Sequence, residues 1–361
     1  MNAFFAQVGG IFARLAAEQT KSRAHFAISR DHIDNGTQLG PSFEAGKHYL
    51  QIIINEMFLA HQRQWFTTYD PMVFVASSYN YNKQEDETFP LVIGRSMLSK
   101  YDQKAPLGMI FQNTPASAMH PYQGGPLTLV IILSQLQYQN NAAKLLEIVE
   151  KVSGAIAPTQ VLAPYLSVAK TVLDGVETLL NLPQTRPVVG YRVSINPAIG
   201  QRLEPTYYVL IDEDSSKILP ERFGIRNEQL HYHDDQNNII PYRAHDFILF
   251  SIAQGNRRDD ESILPFYPLW ESIRDLAARP ISDDDYYWKE AKAEFSTLTR
   301  SLLNSPDLTS IDSKRLRDQY FEELKQIRQE SIRNSHLKPQ PHLPQADVEL
   351  HQMADELDRL N

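Results

Sequence analysis

The chain has 361 residues, 42% of them hydrophobic, a net charge of −9 and no cysteine. That is enough apolar material for a buried core, and the missing thiol excludes disulfides, thiolate catalysis, iron–sulfur clusters and cysteine-ligated zinc. The acidic balance, without a Lys/Arg stripe, argues against nucleic acid as a partner, and no apolar run reaches the roughly 18–20 residues needed to span a bilayer.

At the start, Phe4, Val8, Ile11, Phe12 and Leu15 recur at helical spacing. Gln7 and Arg14 interrupt the run and no basic stretch precedes it, so residues 3–20 read as an amphipathic helix and not as a signal. Residues 1–46 form an N-terminal helix and loop on this reading. From 47 the pattern changes to short β-branched runs. Tyr49 to Ile54, Pro71 to Tyr81, Leu91 to Gly94, Leu107 to Phe111 and Leu127 to Leu133 are strand candidates separated by polar turns.

A helical hairpin over 142–182 follows, with Leu145, Val149, Val152 and Ile156 on one arm and Tyr165, Val168, Val172, Val176 and Leu179 on the other. Its charged face is that of an ordinary solvated surface. Strands resume at Val188 to Ile195 and Tyr207 to Ile211, and Asp212 to Ser216 reads as an acidic turn. Gln229 to His233 and Ile239 to Tyr242 form a hairpin around Asp-Asp-Gln-Asn-Asn, and Phe247 to Ile252 is a further strand or short helix. Three helices are expected near 263–278, 283–304 and 313–333. The fold class is α+β: a β-sandwich-like or layered, mostly antiparallel sheet over 47–262, with the inserted hairpin and a C-terminal helical region packed on it.

Residues 334–345 hold Pro339, Pro341 and Pro344 and predict an extended, semi-rigid linker. Over 346–361, Leu350, Met353, Leu357 and Leu360 share one helical face, and Asp347, Glu349, Asp355, Glu356 and Asp358 cover the other. A helix this short is marginal in water by itself, so its stripe needs a cover: its own body, a second copy, or a groove on another protein.

Three polar clusters are candidates for chemistry. His231 and His233 share a strand face, and Asp235 supplies a carboxylate, the composition of a His-His-carboxylate metal site; turn chemistry explains the same residues. His120 ahead of Gly124 and Gly125 pairs a base with a glycine turn. His245-Asp246 with the Arg257 to Asp260 run reads as caps and surface ion pairs. Neither a nucleophile elbow nor a phosphate-binding glycine loop is present, and His-Glu-x-x-His is likewise missing. The sequence thus predicts a non-enzymatic interaction subunit of a multi-protein or homo-oligomeric assembly, cytoplasmic and without a cofactor, docking through residues 346–361. The alternatives are a metal-dependent hydrolase using His231, His233 and Asp235, and a membrane-surface effector.

Overall fold

The computed structural model describes residues 23–34, 36–60, 63–64, 67–81, 86–94, 113–137, 140–154, 162–183, 185–236, 238–280 and 285–334. The expected N-terminal helix, the strand at Leu107 to Phe111, the proline-rich linker and the 346–361 helix lie outside these residues. The chain divides between Asp259 and Asp260 into two units.

In the first unit the strands are β1 (Arg23–Ala27), β2 (Tyr49–Phe58), β3 (Arg63–Gln64), β4 (Thr67–Asn80), β5 (Asp86–Ile93), β6 (Thr114–Pro115), β7 (His120–Pro121) and β8 (Leu127–Gln137). Helices α1 (Asn140–Gly154) and α2 (Leu162–Asn181) follow. Then come β9 (Thr185–Ile195), β10 (Thr206–Asp214), β11 (Phe223–Arg226), β12 (Gln229–His233), β13 (Ile239–Pro241) and β14 (Phe247–Gly255). One sheet runs β1-β10-β14-β2 with β6 and β7 on β2, a second runs β3-β4-β8-β9 with β5 on β4, and β11-β12-β13 makes a third, small one. Every strand pairing within them is antiparallel.

Period-two alternation explains how these sheets stack. In β8, Leu127, Leu129, Ile131 and Leu133 join the core shared with β2, β10 and β14, whereas Val130, Ile132 and Leu136 pack against the helical hairpin. A strand covered on both faces has no polar side, which is why this stretch reads as an unbroken apolar run. Strand β4 does the same with Val73 and Val75 inward and Met72, Phe74 and Ala76 toward the helices. In the opposite sheet, Leu210, Ile248, Phe250 and Ile252 face the shared core, and Val209, Ile211, Phe247 and Leu249 face Phe223, Ile225 and Leu230 of the small sheet. The layers are therefore hairpin, sheet, sheet and small sheet. Pro90 and Pro187 lie on the edge strands β5 and β9, and Pro71 of β4 falls between the stretches paired with β3 and with β5, places where a sheet tolerates proline.

Strand β2 breaks the alternation once. Leu249 is opposite Glu56 and Phe250 opposite Ile54, so Asn55 is an extra residue, a β-bulge. Before it, Ile52 and Ile54 point into the shared core; after it, Met57 does, and Phe58 faces the small sheet.

Two local expectations are corrected. Asp212 to Asp214 continue β10 because the ladder with β14 runs on: Asp212 N donates to Asp246 O at 2.8 Å. Only Ser215–Lys217 turns, as a 3-10 segment. Within the expected N-terminal helix and loop, Arg23–Ala27 is an edge strand paired with β10. Five residues of mixed polarity on a sheet edge leave little pattern to detect.

The second unit comprises α3 (Tyr267–Ala277), α4 (Tyr286–Leu303) and α5 (Ser310–Asn334). Trp270, Ile273, Trp288, Phe295, Leu298, Leu316, Tyr320 and Leu324 are buried, and Trp270 stacks on Tyr320 at 4.4 Å. Helix α5 begins at Ser310, ahead of the expected 313, because Thr309 caps it, its Oγ1 accepting from Asp312 N at 3.1 Å. Arg328 holds Asp285 at 2.5 Å and lies over the Trp288 ring. Among the described residues, no helix is long and apolar enough to cross a membrane.

Candidate functional site

The small sheet is built by two tight hairpins. Asn227 and Glu228 both have positive φ, 48° and 64°, the requirement of a two-residue turn matching strand twist. In the second hairpin, Asp234 accepts from Gln236 N at 2.9 Å and Asn238 N at 2.7 Å, an Asx turn. Hydrogen bonds from Asn238, its side chain first, hold the Asp234 carboxyl below its ordinary range. A cleft of about 480 Å³ opens beside this sheet, walled by Ile218, Leu219, Phe223, Tyr232, Ile240 and Tyr242, with Lys217, Asp234, Arg243 and His245 supplying its polar groups. Leu219 and Ile240 are 46% and 45% exposed, so the cleft presents apolar surface to solvent.

Two hydrogen-bonded arrays stand behind the cleft. The first follows from register. Ile211 pairs with Phe247, so two steps on Glu213 meets His245, with Nε2 3.0 Å from Glu213 Oε2. The other ring nitrogen, Nδ1, is 2.7 Å from the Tyr242 hydroxyl. A ring protonated on Nε2 donates to Glu213 and accepts the phenolic proton on Nδ1. Glu213 also takes Asp214 N at 2.7 Å and Lys217 Nζ at 3.1 Å, and these bonds, the backbone one first, hold its carboxyl below the usual range. Burial, reinforced by the Glu213 charge, pushes the Tyr242 phenol up. The phenol is thus a donor held in its protonated form, the opposite of an activated nucleophile.

The bulge creates the second array. Glu56 is fully buried, and its Oε2 accepts from Leu230 N at 2.7 Å, which ties the small sheet to β2. Arg243 Nη2 lies 2.7 Å from Oε1, an ion contact outside hydrogen-bonding angles. The guanidinium rests over Phe58 and Phe247, 5.3 Å and 5.9 Å from their ring centroids. Desolvation outweighs the Leu230 bond and the Arg243 charge, so the Glu56 carboxyl is raised. Asp246 adds a third anchor, accepting from Ala60 N at 2.6 Å and Gln135 Nε2 at 3.2 Å. The His245-Asp246 pair is therefore divided between two roles, one side chain at the cleft and the other in the interior.

The histidine–carboxylate cluster does not converge. His231 and His233 do share a face, since Leu230 and Tyr232 turn to the core. His231 Nδ1 is 3.1 Å from Gln229 O. Asp235, 91% exposed, pairs at 2.6 Å with Arg222, which also donates to the Tyr232 hydroxyl at 3.0 Å. Its carboxylate is engaged on the Tyr232 side. Among the described residues, no group of three or more His, Asp or Glu is placed to hold a metal ion.

His120 is 1% exposed, with its ring stacked on Tyr79 at 3.5 Å and 10°. Nδ1 is 3.3 Å from Pro121 O, and Nε2 has no hydrogen-bond partner. Burial first, then the charge of Arg258, lowers its pKa to about 3, so the ring stays neutral in the core. Gly124 and Gly125 have φ of 86° and 79° and reverse the chain between β7 and β8, where Tyr122 donates to Gly125 O at 3.1 Å. Arg257 pairs with Asp259 at 2.5 Å on the surface.

Sequence reading missed Glu213, Tyr242, Lys217, Glu56 and Arg243 as one neighbourhood. Only the β10–β14 register and the β2 bulge bring them together, and neither has a local signature. No protein-family model matches the chain, and no curated protein or solved structure matches it significantly.

Proposed function

We propose that this chain is a non-enzymatic interaction subunit of a homo-oligomeric or multi-protein assembly, docking through the amphipathic segment 346–361. The observation that carries the reading is the stripe Leu350, Met353, Leu357 and Leu360 behind a proline-rich spacer. Such a stripe gains stability only when covered. The cleft supports the same reading. Its walls are apolar, two of them half-exposed, and its hydroxyl is held protonated instead of activated. Contiguous apolar surface with a polar rim is the character of an interaction site.

Light scattering on a sizing column, with the full chain and a chain ending at Lys338, tests the reading. The full chain is expected to be larger than its own mass and the shortened one to be a monomer. If both are monomers, and a 346–361 peptide retains no specific partner from a lysate, the reading fails.

A further inference from the structure

We infer that the cleft beside β11-β12-β13 is the seat for segment 346–361 of a second copy of this chain. The inference rests on the docking reading above and names the surface that reading leaves open. The cleft lines up Leu219 and Ile240, each nearly half exposed, with Ile218, Tyr232 and the buried Phe223. Its volume of about 480 Å³ lies within the range of pre-formed binding clefts and suits a few Leu or Met side chains, the anchors of the segment.

The rim carries charges of both signs, and its carboxylates are paired. Glu213 is held by Lys217 and His245, Asp234 by the amides of its own turn, and Asp235 by Arg222. Each of these carboxylates thus has a hydrogen-bonding or ionic partner, and Lys217, 59% exposed and shared with Glu213, stands at the edge that Asp347, Glu349 or Asp355 of a docked segment would approach.

A second copy is favoured by the spacer. Twelve residues with three prolines, at about 3.1 Å per residue in polyproline form, reach roughly 35 Å. That reach brings another copy of the chain within range of the segment. Reciprocal exchange between two copies closes the assembly and buries both stripes.

The test uses the full chain and sedimentation velocity. One variant carries Leu219→Asp with Ile240→Asp in the cleft, and a second carries Leu350→Asp with Leu357→Asp in the segment. Ile199→Asp, at another highly exposed aliphatic residue, is the control. The wild type and the control are expected to be dimers. Each double variant should dissociate at least about 10-fold more readily, as loss of buried anchors does. An equal mixture of the two should recover a heterodimer, because one intact cleft then meets one intact segment. Should the Asp pair in the cleft impair folding, Leu219→Ser with Ile240→Ser provides the same comparison. A cleft variant that stays dimeric while the segment variant dissociates overturns the seat but leaves docking intact. A wild type that is monomeric at every concentration overturns the second copy as occupant.

Discussion

The two outer faces of the sandwich are covered in opposite ways. Over β4 and β8 the cover is a helical hairpin, and the contact is mainly aliphatic and aromatic: Phe74, Val130 and Ile132 against Leu146, Val149, Val172, Val176 and Leu179, with the buried Glu150 and Ser153 of α1 at the β5 side. Over β10 and β14 the cover is three short strands. Apolar contact there is joined by Glu56 on Leu230, Arg243 on Glu56 and Tyr242 on His245. Helices with broad apolar stripes cover a sheet face completely. Small strands do not, so the second face relies on polar anchors and leaves a cleft. The incomplete cover, not the complete one, is where a partner can add buried area.

The largest expected effect breaks the polar face. Arg243→Ala leaves a buried carboxylate without its cation and should cost about 3 kcal/mol at neutral pH, read as a lower urea midpoint. The sign with pH follows from Glu56, whose folded pKa is already raised. Losing Arg243 raises it further, so the folded state takes up a proton that the unfolded state releases. The deficit should therefore shrink as pH falls toward 5 and grow as it rises. A deficit independent of pH would show that Glu56 is not the group left uncompensated.

A smaller effect is expected on the apolar face. A Cβ at Gly175 would come within 2.5 Å of Val149 Cγ2, which marks the close approach of α1 and α2. Gly175→Ala should cost about 2 kcal/mol by overpacking, offset in part by the better helix propensity of alanine. Its thermal shift should be the same at pH 5 and pH 8. Any pH dependence would erase the distinction between the faces. Smallest of all, Glu213→Gln touches a partly exposed pair and should change stability by less than about 1 kcal/mol, because Tyr242 and His245 keep their own bond.

Much of the layered fold was legible from the chain. The apolar run Leu127 to Leu133 announced a strand covered on both faces, the spacing of Val172, Val176 and Leu179 announced a helix facing a sheet, and the string after His233 announced its turn. The neighbourhood of the cleft was not. Glu213 and His245 are 32 residues apart in sequence and meet only through antiparallel register. Glu56 lies beyond the expected strand Tyr49 to Ile54, and only the Asn55 bulge in the longer observed strand turns it toward the small sheet. The histidines that stood out, His231 and His233, did so by a strand periodicity that places two rings on one face but cannot direct Asp235 toward them.

Hydrogen exchange read by mass spectrometry tests the central claim most directly, comparing the full chain at high and at low concentration. The docking account predicts protection over 346–361 at high concentration, with matching protection at Lys217 to Leu219 and Ile239 to His245, both lost on dilution. Full-rate exchange of 346–361 at every concentration, with the cleft peptides unchanged, would contradict it.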